Sequence, residues 1–194
     1  MIRARGLAKR FGTKRVLTPL DLDVAAGDFL LVTGANGSGK TTLLRLLAGL
    51  VAPSSGELEL AVDRSQLGLL AHEPLVYREL TALENLELFG RLYRVPERRE
   101  RIGMLLERYA LWDARHERAG SFSRGMLQRL GLCRTLLHDP RLLLLDEPFN
   151  ALDAAGAALL RRELGSLAEE HTLVVATHEP ERLDVLATKR LALA

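Results

Sequence analysis

The stretch Gly34-Ala35-Asn36-Gly37-Ser38-Gly39-Lys40-Thr41 decides the fold of this 194-residue chain. It matches the phosphate-loop pattern G-x-x-x-x-G-K-[ST] at every fixed position. The apolar run at residues 29–32 predicts a buried strand before it, and residues 43–48 predict a helix after it. The pattern requires this strand–loop–helix context, so we prefer a phosphate-binding loop to an ordinary glycine-rich turn with a solvated lysine.

The chemistry of the loop follows from its residue types. Gly34, Gly37 and Gly39 let the backbone turn tightly enough for successive N–H groups to face one anion. The helix that begins near Lys40 adds the positive end of its dipole. We predict that the Lys40 ammonium reaches the β- and γ-phosphates of a nucleotide and that the Thr41 hydroxyl ligates Mg²⁺.

Composition sets broad limits on the function. The length predicts one domain, or one domain with an inserted subdomain. A hydrophobic content of 47% and a charged content of 27% are typical of a soluble chain with a substantial core. A net charge of +2 gives no overall signal for a nucleic-acid partner. Cys133 is the only cysteine, which excludes an intrachain disulfide, and no apolar stretch approaches transmembrane length.

The order of predicted elements suggests three parts. Residues 1–24 alternate in polarity and predict a small antiparallel sheet, with turns at residues 12–13 and 26–27. Strands are expected at residues 57–61 and 67–71, and Thr81 with Glu84 fits a capping box that starts a helix. A second helix is expected at residues 96–110, and a third starts at Ser123. We therefore predict one domain over residues 1–194. Its nucleotide-binding core comprises residues 1–73 and 138–194, and residues 74–137 form an inserted helical subdomain.

Two acidic residues end the next predicted strand. Four leucines at residues 142–145 predict a strand buried on both faces, which delivers Asp146 and Glu147 to its C-terminal edge. Asp146 is placed to help hold Mg²⁺, and Glu147 to orient or deprotonate an attacking water. Asp153 is expected to cap a helix at residues 154–170. The following strand, at residues 172–177, ends at His178, which we expect to lie along the same edge and to contact a γ-phosphate.

Seven elements, in their order along the chain, resemble the nucleotide-binding domain of ABC transporters. They are Phe11, the phosphate loop, His72, residues 122–126, the strand that ends at Glu147, residues 150–153, and His178. The resemblance covers essentially the whole chain. It implies that Lys40, Glu147 and His178 are catalytic and that Thr41 and Asp146 hold Mg²⁺. The ATP-binding residues that it implies are Phe11 (stacked on adenine), Gly34, Ala35, Asn36, Gly37, Ser38, Gly39, Lys40, Thr41 and Thr42. The other matching positions are the signature residues Ser123, Arg124, Gly125 and Met126, the Q-loop position His72, and the D-loop residues Asn150 and Asp153.

The resemblance also implies an architecture and partners. The expected fold is an α/β P-loop NTPase of ABC type, with a mainly parallel core sheet, an antiparallel N-terminal β subdomain and an inserted helical subdomain. ATP and Mg²⁺ are the expected cofactors. Two copies would pair head to tail around ATP, so that Ser123 and Gly125 of one copy cap the γ-phosphate held by Lys40 of the other. Membrane permease subunits would dock near residues 73–92 at the cytoplasmic face of the inner membrane, and no nucleic acid is expected.

Departures from the family pattern bear on the cargo. His72 replaces the usual glutamine, Asn150 replaces a serine, and Arg124 and Met126 replace a glycine and a glutamine of the signature. The signature, followed by Gln128 and Arg129, looks like that of bacterial exporter ATPases. The short chain, the histidine at position 72 and the segment at residues 80–86 together look like the haem-exporter ATPase of cytochrome c maturation. A drug or antibiotic exporter ATPase is the alternative within the class. A soluble ABC ATPase acting on ribosomes or DNA, and a nucleotide binder without turnover, are less favoured.

Overall fold

The structure, a computed structural model, describes residues 1–193 and contains eight strands and five α-helices over that range. The strands are β1 (Ile2–Phe11), β2 (Lys14–Val24), β3 (Phe29–Thr33), β4 (Ser55–Leu60), β5 (Leu67–Leu70), β6 (Leu142–Asp146), β7 (Thr172–Ala176) and β8 (Lys189–Ala192). The helices are α1 (Lys40–Leu47), α2 (Ala82–Leu92), α3 (Arg98–Arg108), α4 (Arg124–Leu136) and α5 (Ala154–Glu170). The architecture is therefore α/β, as the sequence predicts.

The central sheet is parallel and has the strand order β5-β6-β7-β3-β8. Leu143 and Leu145 of β6 face one hydrophobic cluster, with helices α2 to α5, while Leu142 and Leu144 face another, with α1 and the antiparallel strands. Burial on both faces explains why this strand is a continuous apolar run rather than an alternating one. Since β6, β7 and β3 are parallel neighbours, the residues that follow them meet at one edge of the sheet.

A second, antiparallel sheet has the order β2-β1-β4. The predicted turn between its first two strands is confirmed, with Gly12 at φ 57°. β4 joins this sheet at the far side of β1, a pairing that its local sequence does not specify. Gly56 of β4 explains the close fit, because a Cβ there would collide with the backbone of Gly6. The sheet packs against α1 and brings the start of β2 next to the phosphate loop.

Three helices lie between β5 and β6, within residues 74–137. Thr81 and Glu84 form the predicted capping box, with Thr81 Oγ1 accepting from the Glu84 N–H at 3.1 Å and Glu84 Oε2 accepting from the Thr81 N–H at 2.8 Å. The predicted helix at residues 96–110 is shorter, since α3 spans Arg98–Arg108 and Glu97 before it is left-handed at φ 47°. The boundaries of the helical subdomain stay a prediction.

Candidate nucleotide site

The phosphate loop joins β3 to α1, as predicted. Two of its glycines are required because other parts of the backbone lie too close to them for a side chain to fit. Gly39 has φ 102°, and a Cβ there would lie 2.7 Å from the Val16 carbonyl oxygen in β2. Gly34 has φ 151°, and a Cβ there would lie 2.5 Å from the Leu193 carbonyl oxygen and collide with the Ser38 hydroxyl. Larger residues at these positions would therefore open the loop.

Lys40 is held inside the loop. Its Nζ donates to the Gly34 carbonyl at 2.8 Å and to the Ala35 carbonyl at 3.3 Å, and it lies 3.6 Å from Glu147 Oε1. The side chains of Lys40 and Glu147 are 7% and 9% exposed, so water screens this pair weakly. The loop thus presents a buried ammonium to the position that a phosphate would occupy.

Thr41 and Asp146 form the part of the site that fits Mg²⁺. The Thr41 hydroxyl donates to Asp146 Oδ2 at 2.7 Å, whereas the buried Asp146 Oδ1 has no hydrogen-bond partner within residues 1–193. Burial raises the pKa of the Asp146 carboxyl above its usual value, because a desolvated carboxylate is disfavoured. A cation beside the free oxygen would remove this penalty.

Glu147 has a strained backbone and a restrained side chain. Its φ of 50° is unusual for a residue other than glycine, and the following Pro148 favours an extended backbone with negative φ at this position. Its N–H donates to the Ala176 carbonyl at 2.8 Å. Its Oε2 lies 2.8 Å from His178 Nδ1 and accepts from the His178 N–H at 3.2 Å. The structure therefore brings Glu147 and His178 together at one sheet edge, as the sequence predicts.

A cavity of about 320 Å³ opens above these groups. It is lined by Lys14, Arg15, Val16, Asn36, Gly37, Gly39, Lys40, Thr41, Thr42, His72 and Glu147. Sequence reasoning missed Lys14 and Arg15, which follow the β1–β2 turn and gave no signal beyond being two adjacent cations. Phe11 is 50% exposed and lies outside this lining, with the Lys9 ammonium 4.9 Å from the centre of its ring.

The signature residues lie at the start of α4, away from the phosphate loop. Ser123 caps the helix, accepting from the Met126 N–H at 3.2 Å, and a Cβ on Gly125 would lie 2.9 Å from the Ala151 carbonyl. Ser123, Arg124 and Gly125 line, with Asp153, a separate cavity of about 680 Å³ that shares no lining residue with the cavity above the phosphate loop. Met126 is not part of this lining and packs against the hydrophobic core.

The D-loop residues Asn150 and Asp153 each form a hydrogen bond close to them in the sequence. Asp153 caps α5 by accepting from the Gly156 N–H at 2.8 Å, and the Asn150 N–H donates to the Glu147 carbonyl at 3.0 Å. Of the predicted site residues, the structure thus gathers Lys40, Thr41, Asp146, Glu147 and His178 into one group. It leaves Ser123, Gly125 and Asp153 at a second surface of the same chain, while the backbone of Asn150 contacts Glu147.

The chain belongs to the ABC transporter family, whose model matches residues 17–150. It is 38% identical over 191 residues to the uncharacterized ABC transporter ATP-binding protein YdbJ of Bacillus subtilis, covering 92% of this chain and 61% of YdbJ. It is 36% identical to the bacitracin transport ATP-binding protein BcrA of Bacillus licheniformis, covering 92% of this chain and 61% of that protein. It is 37% identical to the aliphatic sulfonates import ATP-binding protein SsuB 1 of Pseudomonas syringae pv. tomato, covering 100% and 70%.

The fold agrees with this assignment. The dimeric ATP-binding cassette MJ0796 in a post-hydrolysis state, bound to ADP and Pi, superposes with a TM-score of 0.90 at 27% identity, covering 100% of this chain and 94% of that one. The predicted ABC-type fold is thereby confirmed. The chain spans about three fifths of the length of the first curated relatives it matches. No helix within residues 1–193 has the length and apolar character that crossing a membrane requires.

Proposed function

We propose that the chain is an ATP-hydrolysing subunit that powers export through separate membrane subunits. One observation carries the proposal: five side chains of complementary chemistry converge at the C-terminal ends of β3, β6 and β7. Lys40 lies 3.6 Å from Glu147, and Glu147 in turn lies 2.8 Å from His178. Asp146, beside Glu147, accepts from Thr41 at 2.7 Å.

The phosphate loop would hold the nucleotide. The N–H groups of the loop and the N-terminus of α1 would bind the phosphates, and the Lys40 ammonium would exchange the Gly34 and Ala35 carbonyls for phosphate oxygens. Lys14 and Arg15 would add positive charge at the cavity wall. Thr41 and Asp146 would hold Mg²⁺, which supplies charge neutralisation on the phosphates when bound.

Glu147 would orient the attacking water and accept its proton. Its carboxylate is fixed on one side by the Nδ1 and the N–H of His178 and on the other by the charge of Lys40. Such a restrained carboxylate needs little reorganisation when the water attacks. His178 would hold the Glu147 carboxylate in place and would also contact the γ-phosphate.

The test of this chemistry is the variant Glu147→Gln, which keeps the shape of the side chain and removes the proton acceptor. We expect phosphate release to fall by about 10²–10⁴-fold, because general-base catalysis contributes that much, while ATP binding measured with a fluorescent analogue stays intact. Hydrolysis at the wild-type rate in this variant would overturn the assignment of Glu147. Arg99→Glu, on the exposed face of α3, serves as a charge-changing control.

The second half of each ATP site would come from a partner copy. The N-terminus of α4, capped by Ser123, lines the separate cavity of about 680 Å³, which shares no lining residue with the cavity at Lys40. We propose a head-to-tail homodimer that closes on ATP and opens after hydrolysis. In Glu147→Gln, ATP with Mg²⁺ should therefore give a stable dimer by sedimentation, and Ser123→Arg in that background should remove it. A monomer under both conditions would argue against the head-to-tail pair.

A membrane partner would dock on residues 73–92, at the cytoplasmic face of the inner membrane. A cavity of about 490 Å³ there is lined by Pro74, Tyr77, Arg78, Glu79 and Leu127 together with Glu73 and Val76. Tyr77 is 53% exposed, so the surface offers apolar area beside charges of both signs. Reversing the charge of Arg78 or Glu79 should uncouple transport and leave basal hydrolysis intact. Unaffected transport in both variants would move the docking site elsewhere.

For the cargo we propose haem, on the sequence features at His72 and at residues 80–86, with antibiotic export as the second candidate. The similarity to BcrA favours the second candidate, and none of the relatives given above is named for haem. The discriminating experiment removes the gene and measures c-type cytochromes by haem staining and antibiotic sensitivity in parallel. Loss of cytochromes, restored by the wild type and not by Glu147→Gln, supports haem. Antibiotic sensitivity with normal cytochromes overturns it.

A further inference from the structure

We infer that Gln128 of α4 is a positioning residue that holds the backbone beside Glu147 in its reactive conformation. The inference rests on the proposed role of Glu147 and adds a residue on another element that controls it. Gln128 is 4% exposed, and its Nε2 donates to the Pro148 carbonyl at 3.0 Å. Pro148 directly follows Glu147, so this contact fixes the peptide next to the proposed general base.

The geometry at Glu147 requires an external restraint. A residue with φ 50° followed by proline occupies a conformation that is disfavoured on two counts. Such a conformation persists only where surrounding contacts over-determine it. Backbone contacts to Ala176 and Asn150 hold one side, and the carbonyl of Pro148 takes the only side-chain hydrogen bond that comes to this turn from α4 among the described residues.

The position of Gln128 gives the contact a wider consequence. Gln128 lies just over one turn after Ser123 on the same helix, and Gly125 between them approaches the Ala151 carbonyl closely. The start of α4 therefore contacts the segment after Glu147 at two points. A shift of the signature end of α4 would be transmitted to the carboxylate of the same chain, which links the surface that faces a partner copy to the chain's own reaction centre.

The experiment compares steady-state phosphate release and ATP-analogue binding in the wild type, Gln128→Leu, Gln128→Glu and Glu147→Gln. Gln128→Leu keeps the side-chain volume and loses the donor, so we expect kcat to fall at least about tenfold while KM and nucleotide binding stay near wild type. Gln66→Leu, at the only other glutamine of the chain, is the matched control and should keep full activity.

Gln128→Glu provides a readout that a structural role would not give. The buried carboxyl donates to the Pro148 carbonyl only when it is protonated, and burial favours the protonated form. The activity of this variant relative to the wild type should therefore rise as pH falls from 8.5 to 6, even if Gln128→Leu folds poorly. A thermal melt of each variant identifies loss of fold.

The outcomes separate this inference from the function on which it rests. A wild type without hydrolysis, or Glu147→Gln as active as the wild type, overturns both. If the wild type is active and Glu147→Gln is not, the proposed function stands. In that case a wild-type kcat in Gln128→Leu, or a pH-independent activity ratio in Gln128→Glu, overturns the role of Gln128 alone. A selective fall in kcat with pH-dependent recovery supports it.

Discussion

The buried pair of Lys40 and Glu147 should couple measurably in a double-mutant cycle of unfolding. The four proteins are the wild type, Lys40→Met, Glu147→Gln and the double variant, each unfolded in urea without nucleotide. Both substitutions roughly preserve side-chain volume and remove the charge. The glutamine can still contact His178, so the cycle isolates the charge pair rather than the whole network.

The expected magnitude follows from the 3.6 Å separation of Lys40 Nζ and Glu147 Oε1. At an effective dielectric constant of about 20, two unit charges at this distance attract by about 4.6 kcal/mol. Desolvation of two side chains that are 7% and 9% exposed offsets much of this attraction. We therefore expect a coupling free energy of about 1–3 kcal/mol, typical of residues in direct contact.

An exposed pair supplies the control. Arg3 Nε and Asp23 Oδ2 lie 3.8 Å apart, but their side chains are 63% and 55% exposed. Solvent screening should hold their coupling free energy below about 1 kcal/mol. The reasoning would be refuted if the Lys40 and Glu147 variants were additive within about 0.5 kcal/mol, because the ammonium and the carboxylate would then not interact.

Two further predictions concern stability. Burial raises the pKa of Asp146 in the folded state, so the folded state binds this proton more tightly, and the carboxylate lowers stability as pH rises above its usual pKa of about 3.9. Asp146→Asn should therefore have a higher urea midpoint than the wild type at pH 7, and the difference should vanish in acid; a difference that is equally large in acid would contradict the assignment. Thr81→Ala removes the capping box of α2 and should lower the free energy of unfolding by about 1 kcal/mol. Thr13→Ala, in the exposed β1–β2 turn, should change it little, and equal effects of the two substitutions would show that the cap does not stabilise the helix.

Local sequence signals predicted the central elements well because each has a physical cause within a few residues. The four leucines before Asp146 report burial on both faces of β6, and the Thr81–Glu84 spacing reports a cap whose two hydrogen bonds are local. β6 and β7 are both fully buried, which is typical of strands in a parallel sheet, and their pairing places Glu147 against His178.

Other features depend on residues far apart in the chain, and the sequence did not predict them. The approach of Lys14 and Arg15 to the phosphate loop is set by packing of the antiparallel sheet on α1, not by the residues around them. The contact of Gln128 with Pro148 spans 20 positions and depends on how α4 lies against the sheet edge. The sequence marked Gln128 only as a residue that follows the signature, and nothing in the local pattern indicated its contact with Pro148.

The most direct test of the central claim, that this chain powers transport through membrane subunits, is its capture from gently solubilised membranes, with identification of the proteins that accompany it. We expect an integral membrane permease in stoichiometric amount, lost in a charge reversal at Arg78 and retained in Arg99→Glu. Ribosomes or nucleic acid without any membrane protein would contradict it, and the chain would then be an ABC ATPase with a function other than transport.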